Sequence, residues 1–573
     1  MSDERLTFNR RRFFDCLASL GLGSTLMPEA LTIAAQDAET VTVAMLEAAQ
    51  KIARISFTSA EQQAIVQRLN AARGYLAGFE ALRRADLGND TQPAIVFNPV
   101  PPGKTLPAGP RLMRRREPSV SMPSSDEALA FLPVTHLAAL VKTRRVKPSD
   151  LTELYLSRLK KHDATLRCVI SLTEELARAQ ARQADQEIAG GKYRGPLHGI
   201  PYGLKDLIAV GGTKTTWGAS PYRDQVIDTD ATVYTRLRDA GAILVAKLSS
   251  GALALSARWF GGMTRNPWNT QQDAAGSSAG PGSATAAGLV GFSIGTDTGG
   301  SIIGPSTRNG VTGLRPTFGR VSRYGSMALA WTQDTVGPMC RSAEDCAIVF
   351  DLIYGPDGKD NTVLDVPFRW DATADVRSLR VGYLRSAVGE AGPGEPSPTL
   401  NAQELATVKT SQEAVRVIRS LGIQVVPFNL PDVSIEAIDF IRYAETAAAF
   451  DDLTRSGRLS QMEQPPEQSA RPAEIRPARF IPAVEYIQAN RYRMRVMQQM
   501  EAAMAGLDLF VGTNLLLTNR TGHPAMSLPS GFFEGSPTGL QLTGKLFGEP
   551  ELLLLAHAFQ AKTDHHLKHP PLA

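Results

Sequence analysis

Hydrophobic and polar positions repeat with two different periods along this chain. Between about 40 and 90, VTVAMLEAAQKIARI and SAEQQAIVQRLNAARGYLAGFEALRRA space their apolar residues three and four apart, which predicts two helices, the second opened by Ser59 and Glu61. From about 127 onward, helical stretches alternate with short β-rich runs: GAILVAKL at 241–248, LVGFSIG at 289–295, LRVGYL at 379–384 and DLFVGT at 508–513. That alternation predicts one large α/β domain reaching the C-terminus. Between these regions, NPVPPGKTLPAGPRLMRRREPSVSMPSS (98–125) has neither period and is rich in proline, so it reads as an extended connector wrapping the main domain. The expected organisation is a leader at 1–38, a helical extension at 39–97, a Pro-rich linker at 98–126 and the main domain at 127–573.

The leader follows neither period. It sets Arg10, Arg11 and Arg12 ahead of Phe13 and Phe14, then a weakly apolar stretch, then small residues around Ala34 and Ala35. This resembles a twin-arginine export signal and predicts a periplasmic or secreted protein that folds before export. No stretch approaches the ~18 consecutive apolar residues a membrane span needs, so none is expected. A hydrophobic content of 43% over 573 residues supports a large globular core. The net charge of +4 is scattered apart from RRR at 10–12 and 114–116, which gives no sign of a nucleic-acid groove. Cys16 lies in the leader, and Cys168, Cys340 and Cys346 lack the paired spacing of a zinc site. They read as buried hydrophobes, and neither a metal nor a cofactor is expected.

The chemistry centres on GTDTGGSIIGPS at 295–306, a Gly-rich loop leaving a strand. Such a loop brings backbone N–H groups close to a bound phosphate or to an oxyanion formed during a reaction. A phosphate loop needs GK[ST] after its glycines, and neither this stretch nor GPDGKDN at 355–361 has it. The oxyanion reading is left. GSSAG at 276–280 matches the GxSxG of α/β-hydrolases around Ser278, but polar, loop-like RNPWNTQQDAA precedes it where a nucleophile elbow requires a buried strand. Ser157 and Lys160 form an SxxK pair on an amphipathic helix whose lysines face solvent. GPLHGIPYGLKDLI at 195–208 is different, because it puts Lys205 inside an apolar, glycine-bounded stretch where burial would lower its basicity.

With Lys205, AAGSSAGPGSATAAG at 274–288 and GTDTGGS together, residues 127–573 resemble the amidase signature family. RNPWN, TGLRPTFGRVSRYG and DTVGPMCRSAEDCA add to the likeness. The resemblance implies an α/β fold with a large mixed β-sheet flanked by helices. It implies hydrolysis of a carboxylic amide through a seryl acyl-enzyme. Ser301 then corresponds to the nucleophile, Ser277 to a bridging serine whose bond to Gly276 is cis in the family, and Lys205 to the base. No histidine occurs in these motifs, and a neutral lysine can take a serine's proton. Bringing its pKa from about 10.4 to near 7 costs on the order of 4 to 5 kcal/mol, within reach of apolar burial. The N–H groups of Thr298, Gly299, Gly300 and Ser301 are expected around the oxyanion, with Gly276 also at the substrate.

Asp206, Asp297 and Asp334 read as loop braces, Met494, Met497 and Met504 as core, and His523, followed by proline, as structural. Three departures from the family stand out. Ile302 and Ile303 follow Ser301 where the family has Ile-Arg, AGSSAGPG replaces GGSSGGSA, and Arg315 stands where Lys is common. The expected partner is a small-molecule amide; a homodimer stays open. Two other readings stay open as well: an amidotransferase A subunit supplying ammonia to a partner acting on charged tRNA, against which the export signal argues, and a non-catalytic binding protein, for which Ile303 is the hint.

Overall fold

The computed structural model describes residues 41–53, 55–70, 88–391, 400–462 and 471–572. The expected export signal and the distal part of the second predicted helix lie outside them. The chain divides into two compact units, Met1–Leu87 and Gly88–Ala573.

In the first unit, helices α1 (Val43–Ala53) and α2 (Ser59–Asn70) occupy the two periodic stretches. The start signal sits one residue earlier than the sequence suggests. Glu61 Oε2 accepts from the N–H of Thr58 at 2.7 Å, and Thr58 Oγ1 accepts from the N–H of Glu61 at 3.4 Å, so Thr58, not Ser59, caps α2.

The second unit begins with a segment that is not helical, contrary to the extension expected to reach residue 97. Asn89–Asp90 form a turn closed by Thr91 N–H on Gly88 O at 3.0 Å, and Pro93 then withholds a helical N–H. The Pro-rich stretch continues along the unit with fixed anchors: Lys104 pairs with Glu501 at 2.6 Å, and Leu112–Arg114 lies parallel to Arg369–Asp371 as a two-stranded ribbon.

Eleven strands form the main sheet. In chain order they are β1 (Val169–Leu172), β2 (Pro201–Lys205), β3 (Ile243–Leu248), β4 (Phe292–Asp297), β5 (Thr312–Arg315), β6 (Thr335–Cys340), β7 (Val381–Leu384), β8 (Val425–Phe428), β9 (Leu509–Val511), β10 (Ala525–Phe533) and β11 (Ser536–Gly544). Across the sheet the order is β8-β7-β9-β11-β10-β5-β6-β4-β2-β3-β1. Strands β2, β3 and β6 are buried at every position, so even the lysines of β2 and β3, Lys205 and Lys247, lie inside the unit.

Two features of this sheet position the site. Strands β2 and β4 are parallel neighbours, with Tyr202 opposite Phe292 and Leu204 opposite Ile294, so both end on the same edge. Helix α3 (Pro148–Leu166) and helix α4 (Ala279–Ala286) follow the same logic of packing on the sheet, and the loop opening α4 delivers Ser277 and Ser278 to that edge. Helix α5 (Ile303–Asn309) begins just after the Gly-rich loop. Ligand sites of parallel α/β sheets form beyond the carboxyl ends of such strands. Among the described residues, no helix is long and apolar enough to cross a membrane.

Candidate active site

Lys205 is the last residue of β2 and is fully buried. Its Nζ lies 2.8 Å from Ser277 Oγ, 2.9 Å from Ser278 Oγ and 2.8 Å from Thr296 Oγ1. Ser278 donates its own proton to the carbonyl of Thr296 at 3.0 Å, so towards Lys205 it can only accept. A neutral amine has two N–H bonds and one lone pair. Ser278 takes one of the two protons, and the hydroxyls of Ser277 and Thr296, each 2.8 Å away, share the other proton and the lone pair, so the neutral amine can accept from Ser277 when Thr296 accepts from it. Burial pushes the Lys205 ammonium down to about 7; the charges of Asp297 and Asp334 oppose the shift, and the nearby Arg471 adds to it. Lys205 is therefore a base available near neutral pH.

Ser277 follows Gly276 through a cis peptide bond. A side chain at Gly276 would put a Cβ 1.9 Å from the carbonyl oxygen of Ser256, so close chain approach demands the glycine. That is a packing reason for the glycine.

The Gly-rich loop is organised by Asp297. Its carboxylate accepts from the N–H of Gly300 at 2.8 Å and of Ile302 at 2.7 Å, and from Asn519 Nδ2 at 2.9 Å and Arg315 Nε at 3.2 Å. The N–H of Gly300 is consequently spent on Asp297, which corrects its expected place around an oxyanion. An acidic side chain just ahead of a turn gathers the turn's N–H groups in this way. Among the described residues the N–H groups of Thr298, Gly299 and Ser301 make no such bond to Asp297. Gly300 keeps a conformational role: its φ is +110°, and a Cβ there would meet Leu515 Cδ1 at 2.8 Å.

Ser301 is half-buried beside Ser278, whose N–H donates to the Ser301 carbonyl at 3.2 Å. The structure thus joins Lys205 directly to Ser277 and ties the two serine loops through their backbones. No hydrogen bond links the hydroxyls of Ser277 and Ser301. Catalytic hydrogen bonds are commonly loose in unliganded sites and tighten with substrate.

The other residues singled out by sequence fall as follows. Asp334 accepts from Thr298 Oγ1 at 2.6 Å and from the N–H groups of Leu329 and Ala330, and Asp206 pairs with Lys247 at 2.9 Å. Both brace loops. Ser157 and Lys160 lie on the outside of α3, Lys160 paired with Glu174. Ser278 opens α4 after a short polar hairpin, not after a buried strand of the main sheet. His523 is buried against Thr521 and burial pushes it down to about 3. Ile303 is fully buried, and Arg315 carries the guanidinium that reaches Asp297. Met497 and Met504 are core, as are Cys168, Cys340 and Cys346.

A cavity of about 290 Å³ opens beside Thr296 and Thr298. Leu207, Trp217, Ile227, Met327, Leu329 and Trp331 give it apolar and aromatic walls, and Asn89, Asp90 and Gln92 complete it. Sequence reasoning missed Ser278 and Thr296 as partners of the lysine, and missed residues 89–92 altogether. Only the register of β4 against β2 places Thr296 beside Lys205, and no local pattern announces a register.

A buried lysine hydrogen-bonded to a serine, beside a Gly-rich loop on a mixed sheet, defines a site of the kind that transfers acyl groups through serine without histidine. The sequence profile of the Amidase family matches residues 150–512, and the chain belongs to this family, the amidase signature enzymes. It is similar to the glutamyl-tRNA(Gln) amidotransferase A subunit of Methylococcus capsulatus, with 32% identity over 487 residues covering 76% of this chain and 98% of that protein. Among solved structures it resembles the peptide amidase in complex with the competitive inhibitor chymostatin, at a TM-score of 0.69 and 29% identity, covering 77% of this chain and 99% of that one. The native peptide amidase of Stenotrophomonas maltophilia gives a TM-score of 0.66 at 29% identity, over 75% and 96% of the two chains. About three quarters of this chain thus accounts for nearly the whole of each relative.

Proposed function

We propose that this chain hydrolyses the C–N bond of a linear carboxylic amide, other than a peptide bond, to the carboxylate and ammonia or an amine. In this reading Ser301 attacks the carbonyl carbon, its proton passing by way of Ser277 to the neutral amine of Lys205. The oxyanion takes hydrogen bonds from N–H groups of the Thr298–Ser301 loop. The tetrahedral intermediate collapses as Lys205, now an ammonium, returns its proton through Ser277 to the leaving nitrogen. Water then repeats the sequence on the acyl-enzyme. The observation that carries the reading is a buried lysine amine 2.8 Å from the hydroxyl of Ser277.

A second reading has the stronger support among the curated relatives: they are A subunits of glutamyl-tRNA(Gln) amidotransferases, and their near-complete coverage favours a component that releases ammonia for a partner. The chemistry up to the acyl-enzyme is the same. One experiment separates the readings. The purified chain is labelled with a fluorophosphonate and assayed for ammonia from aryl, aliphatic and peptide carboxamides and from glutamine. Ser301→Ala should abolish labelling, whereas Ser278→Ala, which removes one acceptor of the lysine, should slow it without abolishing it. Turnover of several amides by the chain alone supports the free amidase; glutamine turnover alone, or only with a partner protein present, selects the second reading. We also propose export by the twin-arginine route, for which the Arg10→Lys, Arg11→Lys double variant should stay in the cytoplasm; unchanged delivery of that variant would remove the proposal.

A further inference from the structure

The cavity beside the Gly-rich loop has one wall that precedes the family-matched region, which starts at residue 150. Asn89 fastens that wall in place. Its Oδ1 accepts from the N–H of Ala328 at 2.8 Å, while its Nδ2 donates to the carbonyl of Ala328 at 2.9 Å and to that of Ala449 at 3.2 Å. One carboxamide thus clamps the strap to two segments far apart in the chain, and Ala328 itself lines the cavity.

The charges lining the cavity are Asp90, Arg323 and Asp334. Arg323 is consumed by Asp360, Thr362 and the carbonyl of Trp331. Asp334 is consumed by Thr298 Oγ1 and two backbone N–H groups. Asp90, which is exposed, has no ion-pair or hydrogen-bond partner among the described residues. Among the described residues, then, the strap brings to the cavity a carboxylate with neither a cation nor a hydrogen-bond donor on it, whereas Asp334 has its donors. A ligand that fills this cavity and brings a cation to the strap gains an ion pair that a neutral ligand lacks.

We propose that the strap Asn89–Gln92 is a specificity element of the active site: Asn89 is a positioning residue that holds it, and Asp90 receives an ammonium or guanidinium group at the end of the substrate remote from the scissile amide. This rests on the reading of Ser301 and Lys205 as an amide-hydrolysing site. The uncharged middle of such a substrate would lie along the Trp217 and Trp331 side, and a substrate ending in a carboxylate would be disfavoured by the same charge.

The test compares two amides of equal length, one ending in an ammonium group and one in a methyl group, by kcat/KM in wild type, Asp90→Asn and Asn89→Ala. Wild type should prefer the cationic amide by about fivefold or more, a preference expressed in KM and shrinking between 50 mM and 500 mM salt, as expected for a partly exposed ion pair. Asp90→Asn should bring the ratio close to one at both salt concentrations, and Asn89→Ala should lower it as well. A ratio near one in wild type, or a ratio untouched by Asp90→Asn, overturns the proposal. The matched ketones, which cannot be hydrolysed, are titrated calorimetrically into the same proteins, so the wall is tested even without turnover. Discrimination between ketones without any amide cleavage or fluorophosphonate labelling would sink the amidase reading and keep the wall; cleavage without discrimination would do the reverse.

Discussion

Lys205 is asked to be a base, and its surroundings set both its usefulness and its cost. Activity requires the neutral amine, so kcat/KM for a neutral amide should rise tenfold per pH unit below about 7 and level off above it, given the depressed value of about 7. A pH profile flat from 5 to 8 would remove Lys205 as the base. Stability carries the opposite sign of interest. An unfolded lysine titrates near 10.5 and the folded one near 7, so between these values the unfolded chain binds the extra proton and stability rises with pH. Below about 7 the fold bears the full penalty, about 4 to 5 kcal/mol from a shift of this size. Lys205→Met removes that penalty and three hydrogen bonds worth about 1 kcal/mol each. The inactive variant should therefore be more stable than wild type by about 1 to 2 kcal/mol at pH 7 and less stable by about 2 kcal/mol at pH 10, where the penalty has gone and the lost hydrogen bonds remain; chemical denaturation at the two pH values checks it. Lys205 was legible in the sequence because a lone charge inside an apolar, glycine-bounded strand is conspicuous. Its partners Ser278 and Thr296 were not, because they reach it through tertiary register.

At the scale of the element, the loop from Asp297 to Ile303 is shaped from one side by a single carboxylate. Replacing Asp297 by Asn keeps the size and leaves one accepting oxygen for donors that now use two. It also leaves the buried guanidinium of Arg315 without its countercharge. Asp297→Asn should lower stability by about 3 kcal/mol and slow fluorophosphonate labelling of Ser301 by about a hundredfold, since displaced N–H donors cost about that much at an oxyanion. Wild-type labelling rates in Asp297→Asn would show that the loop holds its shape without the charge. The four β-rich runs chosen from the sequence all became strands of the main sheet. What composition concealed was the diversion of the Gly300 N–H to Asp297: a glycine motif shows where the backbone is free to turn, not which donors stay unspent after it has turned. The same holds for α2, where Ser59 had the residue type of a cap and Thr58 had the geometry.

For the whole molecule, the division after Leu87 predicts that a chain starting at Gly88 keeps the fluorophosphonate labelling of Ser301 and melts close to the full-length protein. A chain starting at residue 127 loses the Asn89 clamp, the Lys104–Glu501 and Arg111–Asp351 pairs and the Leu112–Arg114 ribbon, and should melt several degrees lower with weakened substrate discrimination. Equal melting temperatures for the two truncations would mean that the strap adds nothing to the unit. Composition marked this stretch as extended but could not name its anchors, which lie far away along the chain. Asn89 waits for Ala328, 239 residues downstream, and for Ala449, 360 downstream; Lys104 waits for Glu501, 397 downstream. Contacts at such separations form late, because the intervening loop must close before they reward the chain. On the ribosome, the strap leaves the exit tunnel early and can find its seat only when nearly the whole chain has followed it. The first part of the catalytic unit to be made thus waits on residues made much later: the Asn89 clamp is incomplete until residue 449 exists, and the Lys104 anchor until residue 501.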